Sequence, residues 1–198
     1  MTNQIKLIAA LVITSFMFSC QKSENVEPQK PTTTTQNSRT TKTAQIIEVA
    51  PPFLEFDKIK VYNNLDLLLN SKGELVAGRL AEDARVRVAA KKSSEKANFK
   101  KGTMIYFDIN AKVIGALRGR LKSDAIVTTR GVYGKVVRFL AGTEINFSPE
   151  RNNLGVTFGV LGASTQLINS DGTVSYYPQG TRVNFDEQGL VSSSTLPW

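Results

Sequence analysis

Phe99-Lys-Lys-Gly102-Thr103-Met-Ile105-Tyr-Phe107 returns later in the chain as Phe139-Leu-Ala-Gly142-Thr143-Glu-Ile145-Asn-Phe147 and as Tyr177-Pro-Gln-Gly180-Thr181-Arg-Val183-Asn-Phe185. Each copy has an aromatic residue, two variable positions, Gly-Thr, and apolar residues at alternate positions ending in phenylalanine. The glycines stand 40 and 38 residues apart. A degenerate earlier copy places Asn64, Leu65, Leu67 and Leu69 at the glycine, threonine, β-branched and phenylalanine positions. Asparagine suits the glycine position because it enters the left-handed region more readily than other side-chain-bearing residues.

A second motif keeps the same period. Gly78-Arg79-Leu80-Ala81-Glu82-Asp83-Ala84-Arg85-Val86 matches Gly119-Arg120-Leu121-Lys122-Ser123-Asp124-Ala125-Ile126-Val127 and, more loosely, the stretch from Gly159 to Leu167; these leading glycines are 41 and 40 apart. Two independent motifs in one register define an internal repeat. Ile105 and Phe107 alternate with Met104 and Tyr106, a period of two that puts each pair on its own face of a strand. Turn residues follow at Asn70, Asp108, Ser148 and Asp186, and a further turn is clear at Asn169-Ser-Asp171-Gly172. About four short strands fit each module of about 40 residues. The expected fold is therefore all-β, a repeat-built antiparallel meander forming an open, elongated and twisted sheet, with a closed β-barrel as the alternative. The arrangement is similar in architecture to MORN-type β-hairpin repeats, without their regular tyrosine and glycine spacing.

Upstream of the repeat the composition changes twice. Residues 1–19 hold Lys6, a mostly apolar run and Ser19, and the chain's one cysteine, Cys20, follows directly. The run is shorter than a spanning helix requires and has the form of an export signal. This arrangement resembles bacterial lipoprotein precursors, which are cut before a cysteine that becomes the lipidated first residue. The resemblance implies acyl chains such as palmitate on Cys20, a membrane tether at about 0.8 kcal/mol per buried CH₂, and a place in the bacterial cell envelope. Gln21, where an inner-membrane retention signal would carry aspartate, favours the outer membrane, with the domain facing the periplasm or the cell surface. Residues 20–52 are polar and rich in threonine and proline. They read as a disordered tether with a reach of roughly 30 Å, in which Ile46, Ile47 and Val49 suggest a short strand leading into the domain at residues 53–198.

Composition narrows the chemistry. The chain has 198 residues, 41% hydrophobic and 21% charged, with no histidine. Histidine-based triads, Cys/His dyads and imidazole-bound metals are thereby excluded, and one cysteine excludes an intramolecular disulfide. No cofactor or metal is implied. Asp108 and Asp186, or Asp83 and Asp124, could in principle supply paired carboxylates for a carbohydrate-active enzyme. The exchange of Asp108 for Asn70 and Ser148 at equivalent positions instead marks a turn residue that accepts backbone N–H bonds. Ser93-Ser-Glu-Lys96 matches a serine–lysine motif, but it falls in a charged loop and not on a helix.

Charge is the remaining feature. Residues 79–138 carry fifteen Lys/Arg against five Asp/Glu, whereas residues 139–198 carry two against five. Parity places Lys112, Arg118, Arg120 and Lys122 opposite an apolar face, and Arg85 and Arg87 opposite Val86 and Val88. Phe158 and Val160 replace Arg118 and Arg120 one module later. The expected function is a non-catalytic binding or scaffold module whose partner is an anionic glycan, lipopolysaccharide or an acidic protein surface; the export signal argues against nucleic acid. The alternatives are an enzyme using sheet aspartates and a purely structural envelope component.

Overall fold

A computed structural model describes residues 44–55, 57–64 and 66–197. The export signal, Cys20 and most of the tether lie outside the described residues. The described chain is a succession of antiparallel hairpins. In order these are β1 (Ile46–Val49) with β2 (Ile59–Tyr62), β3 (Leu68–Leu69) with β4 (Leu75–Arg79), β5 (Ala84–Arg87) with β6 (Lys96–Phe99), and β7 (Met104–Phe107) with β8 (Ala116–Arg120). They continue as β9 (Ala125–Thr128) with β10 (Val136–Phe139), β11 (Glu144–Phe147) with β12 (Val156–Val160), β13 (Thr165–Ile168) with β14 (Val174–Tyr177), and β15 (Arg182–Phe185) with β16 (Val191–Thr195).

Alternate hairpins join edge to edge. They form one sheet of eight strands in the order β16-β15-β12-β11-β8-β7-β4-β3, and the other four hairpins remain two-stranded ribbons. The terminal strands β3 and β16 do not pair with each other, so the sheet is open and not a barrel. With strands about 4.8 Å apart, eight span roughly 34 Å, about twice the length of a five-residue strand. The meander is therefore elongated across its strands.

The repeat is written in hydrogen bonds as well as in sequence. After each ribbon, the glycine of Gly-Thr donates its N–H to the leucine carbonyl of the second motif: Gly102 to Leu80, Gly142 to Leu121 and Gly180 to Leu161. The same leucines donate back to the carbonyls of Thr103, Thr143 and Thr181. Gly102, Gly142 and Gly180 have φ of 75°, 76° and 86°, the left-handed conformation in which a side chain is strained. Asp83, Asp124 and Ser164 accept the N–H groups of Lys101, Ala141 and Gln179 from the turn before each new sheet strand. Asn70, Asp108, Ser148 and Asp186 each accept the N–H two residues on, as the turn reading expects.

The core lies between the ribbons and one face of the sheet. Phe99 and Phe139 are fully buried, as are Leu80, Leu121, Leu161, Ile105, Ile145 and Val183. Phe107, Phe147 and Phe185 retain 5%, 3% and 4% of their exposure, so the expected core face is the observed one.

The degenerate copy is a true module with one difference in conformation. Leu68 and Leu69 pair with Ala77 and Leu75 across the same register shift found at Tyr106/Phe107, Asn146/Phe147 and Asn184/Phe185. Leu69, however, is 39% exposed because β3 is an edge strand. Asn64 is not among the residues of positive φ; its side chain instead accepts the N–H of Asp66 at 3.1 Å. At the other boundary, β1 pairs with β2 and Val49 enters the core, so the last residues read as tether belong to the domain.

Candidate functional site

Strand parity decides which side chains leave the core. Ile105, Gly119, Ile145 and Val183 point to the ribbons, and their neighbours Tyr106, Arg118, Arg120, Glu144, Asn146, Arg182 and Asn184 point to the opposite, outer face. Cross-strand pairing sets them in rows. Tyr106 lies opposite Arg118, Arg118 opposite Asn146, Asn146 opposite Phe158, and Phe158 opposite Asn184. In the next row Arg79 faces Met104, Arg120 faces Glu144 and Val160 faces Arg182. Together they line a depression of about 760 Å³ that contains Arg79, Arg118, Arg120 and Arg182 and two aromatic rings, Tyr106 and Phe158.

The four guanidinium groups are held differently. Arg118 makes a two-pronged pair with Glu144, Nε to Oε1 at 3.0 Å and Nη2 to Oε2 at 3.1 Å, and its Cζ lies 5.3 Å from the Tyr106 ring centroid. Exposed as it is, this pair contributes about 1 kcal/mol at most to folding, but it orients the arginine over the ring. Arg79 and Arg120 stand at equivalent positions of the second motif. Each donates to the glycine carbonyl of the next Gly-Thr turn: Arg79 Nη1 to Gly102 at 2.8 Å and Arg120 Nε to Gly142 at 2.7 Å. Arg79 also pairs with Asp66 at 3.0 Å. Arg182 is exposed and has no ion-pair partner among the described residues.

The six basic residues read from the sequence do not share one face. Arg118 and Arg120 lie in the depression. Lys122 follows the end of β8 and its ammonium pairs with Asp83. Asp83 is held below its usual pKa chiefly by the Lys101 N–H and then by Lys122. Arg85 and Arg87 belong to a ribbon, paired with Asn98 and Lys96. Lys112 lies in the turn before β8, its N–H bonded to Asp108 Oδ2 at 2.8 Å. Parity failed between Lys112 and Arg118 because the register shift opposite Tyr106/Phe107 sets one extra residue, Leu117, between Ala116 and Arg118.

Two arginines of the depression, Arg79 and Arg182, were missed by the sequence reading. Arg79 carried a signal in its motif match to Arg120, and Arg182 in its place beside Val183 of the Gly-Thr motif. Asp108, weighed as a possible acid or base, is buried and accepts N–H bonds from Asn110, Lys112 and Val113. Comparison with known protein families, with curated proteins and with solved structures finds no match.

Proposed function

We propose that this chain is a lipid-anchored, non-catalytic protein of the bacterial cell envelope that binds a polyanion through the outer face of its sheet. The observation that carries this reading is the convergence of Arg79, Arg118, Arg120 and Arg182 in one depression where Glu144 is the lining carboxylate. Arg118 and Arg120 share β8, with Arg79 two strands away on β4 and Arg182 three strands away on β15, roughly 10 and 14 Å across the sheet. Their long side chains border one depression, so they act together on a ligand of repeated negative charge that spans it. Tyr106 and Phe158 supply apolar ring faces, and Asn146 and Asn184 supply amides, beside those charges. Rings, amides and arginines together suit an anionic glycan or the saccharide portion of lipopolysaccharide better than an acidic protein surface. Anchoring through Cys20 would hold the domain where such polymers are found.

A purely structural role is the second reading. It is favoured by the bonds from Arg79 and Arg120 to Gly102 and Gly142, which tie these arginines to the repeat itself. Equilibrium binding of an anionic and a neutral polysaccharide at two ionic strengths separates the readings. Polyanion binding predicts affinity for the anionic polymer alone, falling with salt; the structural role predicts none for either.

A further inference from the structure

The second depression is built differently from the first and lies beyond the reading above. It has a volume of about 550 Å³ and collects Arg87, Lys91, Lys112 and Arg151 from separate parts of the chain. No carboxylate lines it among the described residues. Its walls are apolar, with Phe53, Val113, Ile114 and Leu154 contributing. Such a volume, mostly apolar with a few convergent charges, falls in the range of small-molecule sites.

Two further observations point to a ligand. Arg87 Nε is the one side-chain nitrogen or oxygen among the described residues that is buried with no hydrogen-bond partner. A guanidinium N–H withdrawn from water without an acceptor is costly and leaves the Arg87 charge incompletely satisfied by the protein, so its guanidinium is the group of this pocket that an oxyanion would complete. Three nearby carboxylates are engaged elsewhere: Asp108 accepts three turn N–H groups, Glu95 accepts Thr128 N–H and Oγ1, and Asp57 pairs with Lys96 at 3.8 Å. Asp57 and Glu55 line the adjoining depression, on which Arg87 also borders. Secondly, Phe53 and Ala111 are the two non-glycine residues of positive φ among the described residues, at 59° and 52°, and both line this pocket. Backbone strain of this kind persists where the surroundings enforce it, and it collects at binding sites. Here it holds the Phe53 ring, 57% exposed, at the wall of a cationic cavity.

The geometry points to a binding site for a small amphipathic carboxylate, its head on Arg87 and its apolar body against Phe53, Ile114 and Leu154. Lys91 donates to the Gly131 carbonyl and is partly occupied, so it and Lys112 act as the cationic rim while Arg87 makes the directed contact. The test is calorimetric titration of the full chain in detergent micelles, with the micelle blank subtracted. The probes are 4-phenylbutyrate, the matching neutral alcohol 4-phenyl-1-butanol, and acetate. The expected result is that 4-phenylbutyrate binds at least about tenfold more tightly than either of the others, because only it satisfies both head and body. Arg87→Gln and Ile114→Asp should each weaken it about tenfold or more, the second by placing a like charge at an exposed position that folding does not depend on. Arg182→Gln, on the outer face, should leave it unchanged. No binding of 4-phenylbutyrate, equal binding of the alcohol, an unchanged affinity in Ile114→Asp, or loss in Arg182→Gln would each overturn the site. Failure here leaves the polyanion reading standing, since none of its arginines lines this pocket.

Discussion

The ring of Phe99 lies so close to Gly119 that a β-carbon on the glycine would come within 2.5 Å of Phe99 Cδ1. Gly159 and Phe139 repeat the relationship at 2.4 Å. The aromatic residue that opens one motif is thus seated on the glycine that opens the other, which explains why both recur at one period. Gly119→Ala and Gly159→Ala should each cost about 1–3 kcal/mol through overpacking, read as a fall in the midpoint of chemical denaturation. Gly78 has more room, its nearest neighbour at 3.2 Å being a leucine methyl, so Gly78→Ala should cost less. Equal losses at the three positions would contradict the packing account.

Phe107, Phe147 and Phe185 occupy equivalent sites at the ends of β7, β11 and β15 and are all buried. Replacing any one with alanine should cost about 3–5 kcal/mol. Leu69 stands at the same register in the edge strand β3 and is 39% exposed, so Leu69→Ala should cost distinctly less. Denaturation midpoints for the four variants check the order.

Asp83 gives the fold a pH dependence of known sign. The Lys101 N–H and the Lys122 ammonium hold its carboxyl below the usual range in the folded state. Its contribution to stability is therefore complete above the unfolded-state pKa of about 4 and is lost as pH falls through that value toward the depressed one. Asp171, held down by the Thr173 hydroxyl and N–H, acts with the same sign. Asp83→Asn should lower the melting temperature at neutral pH and make its decline on acidification shallower than in the wild type. Parallel declines would remove Asp83 from the account.

The export reading makes a separate prediction. Cys20→Ala should leave the chain unprocessed or release it from membranes. Intact-mass analysis of the wild type should show an acylated mature N-terminus beginning at Cys20; an unmodified one, or unchanged anchoring of the variant, would reject lipidation.

Much of the fold was legible because its determinants are local and recur. Gly102, Thr103, Ile105 and Phe107 encode a turn and an alternating strand by residue type alone, and Asp108 marks the next turn. The sheet's order was not legible, because nothing in β4 or β7 announces that they pair across the intervening ribbon. The candidate site was legible in half. Arg118 and Arg120 follow from alternation with Gly119, whereas Lys112 and Lys122 were misplaced: a bulge reverses parity ahead of Arg118, and the chain leaves the sheet after Arg120. Arg87 and Lys112 do meet, but in the second depression, which depends on tertiary contacts with the segment around Phe53 and the turn holding Arg151.

Retention on an immobilised anionic polysaccharide over a salt gradient, comparing the wild type with Arg118→Gln/Arg182→Gln, tests the outer-face site most directly. The side chains of these two arginines make no hydrogen bond to backbone among the described residues, so the double variant should keep its melting temperature. It should elute at distinctly lower salt than the wild type. Elution of both proteins at the same salt concentration would contradict polyanion binding at this face and leave the arginines with a structural role alone.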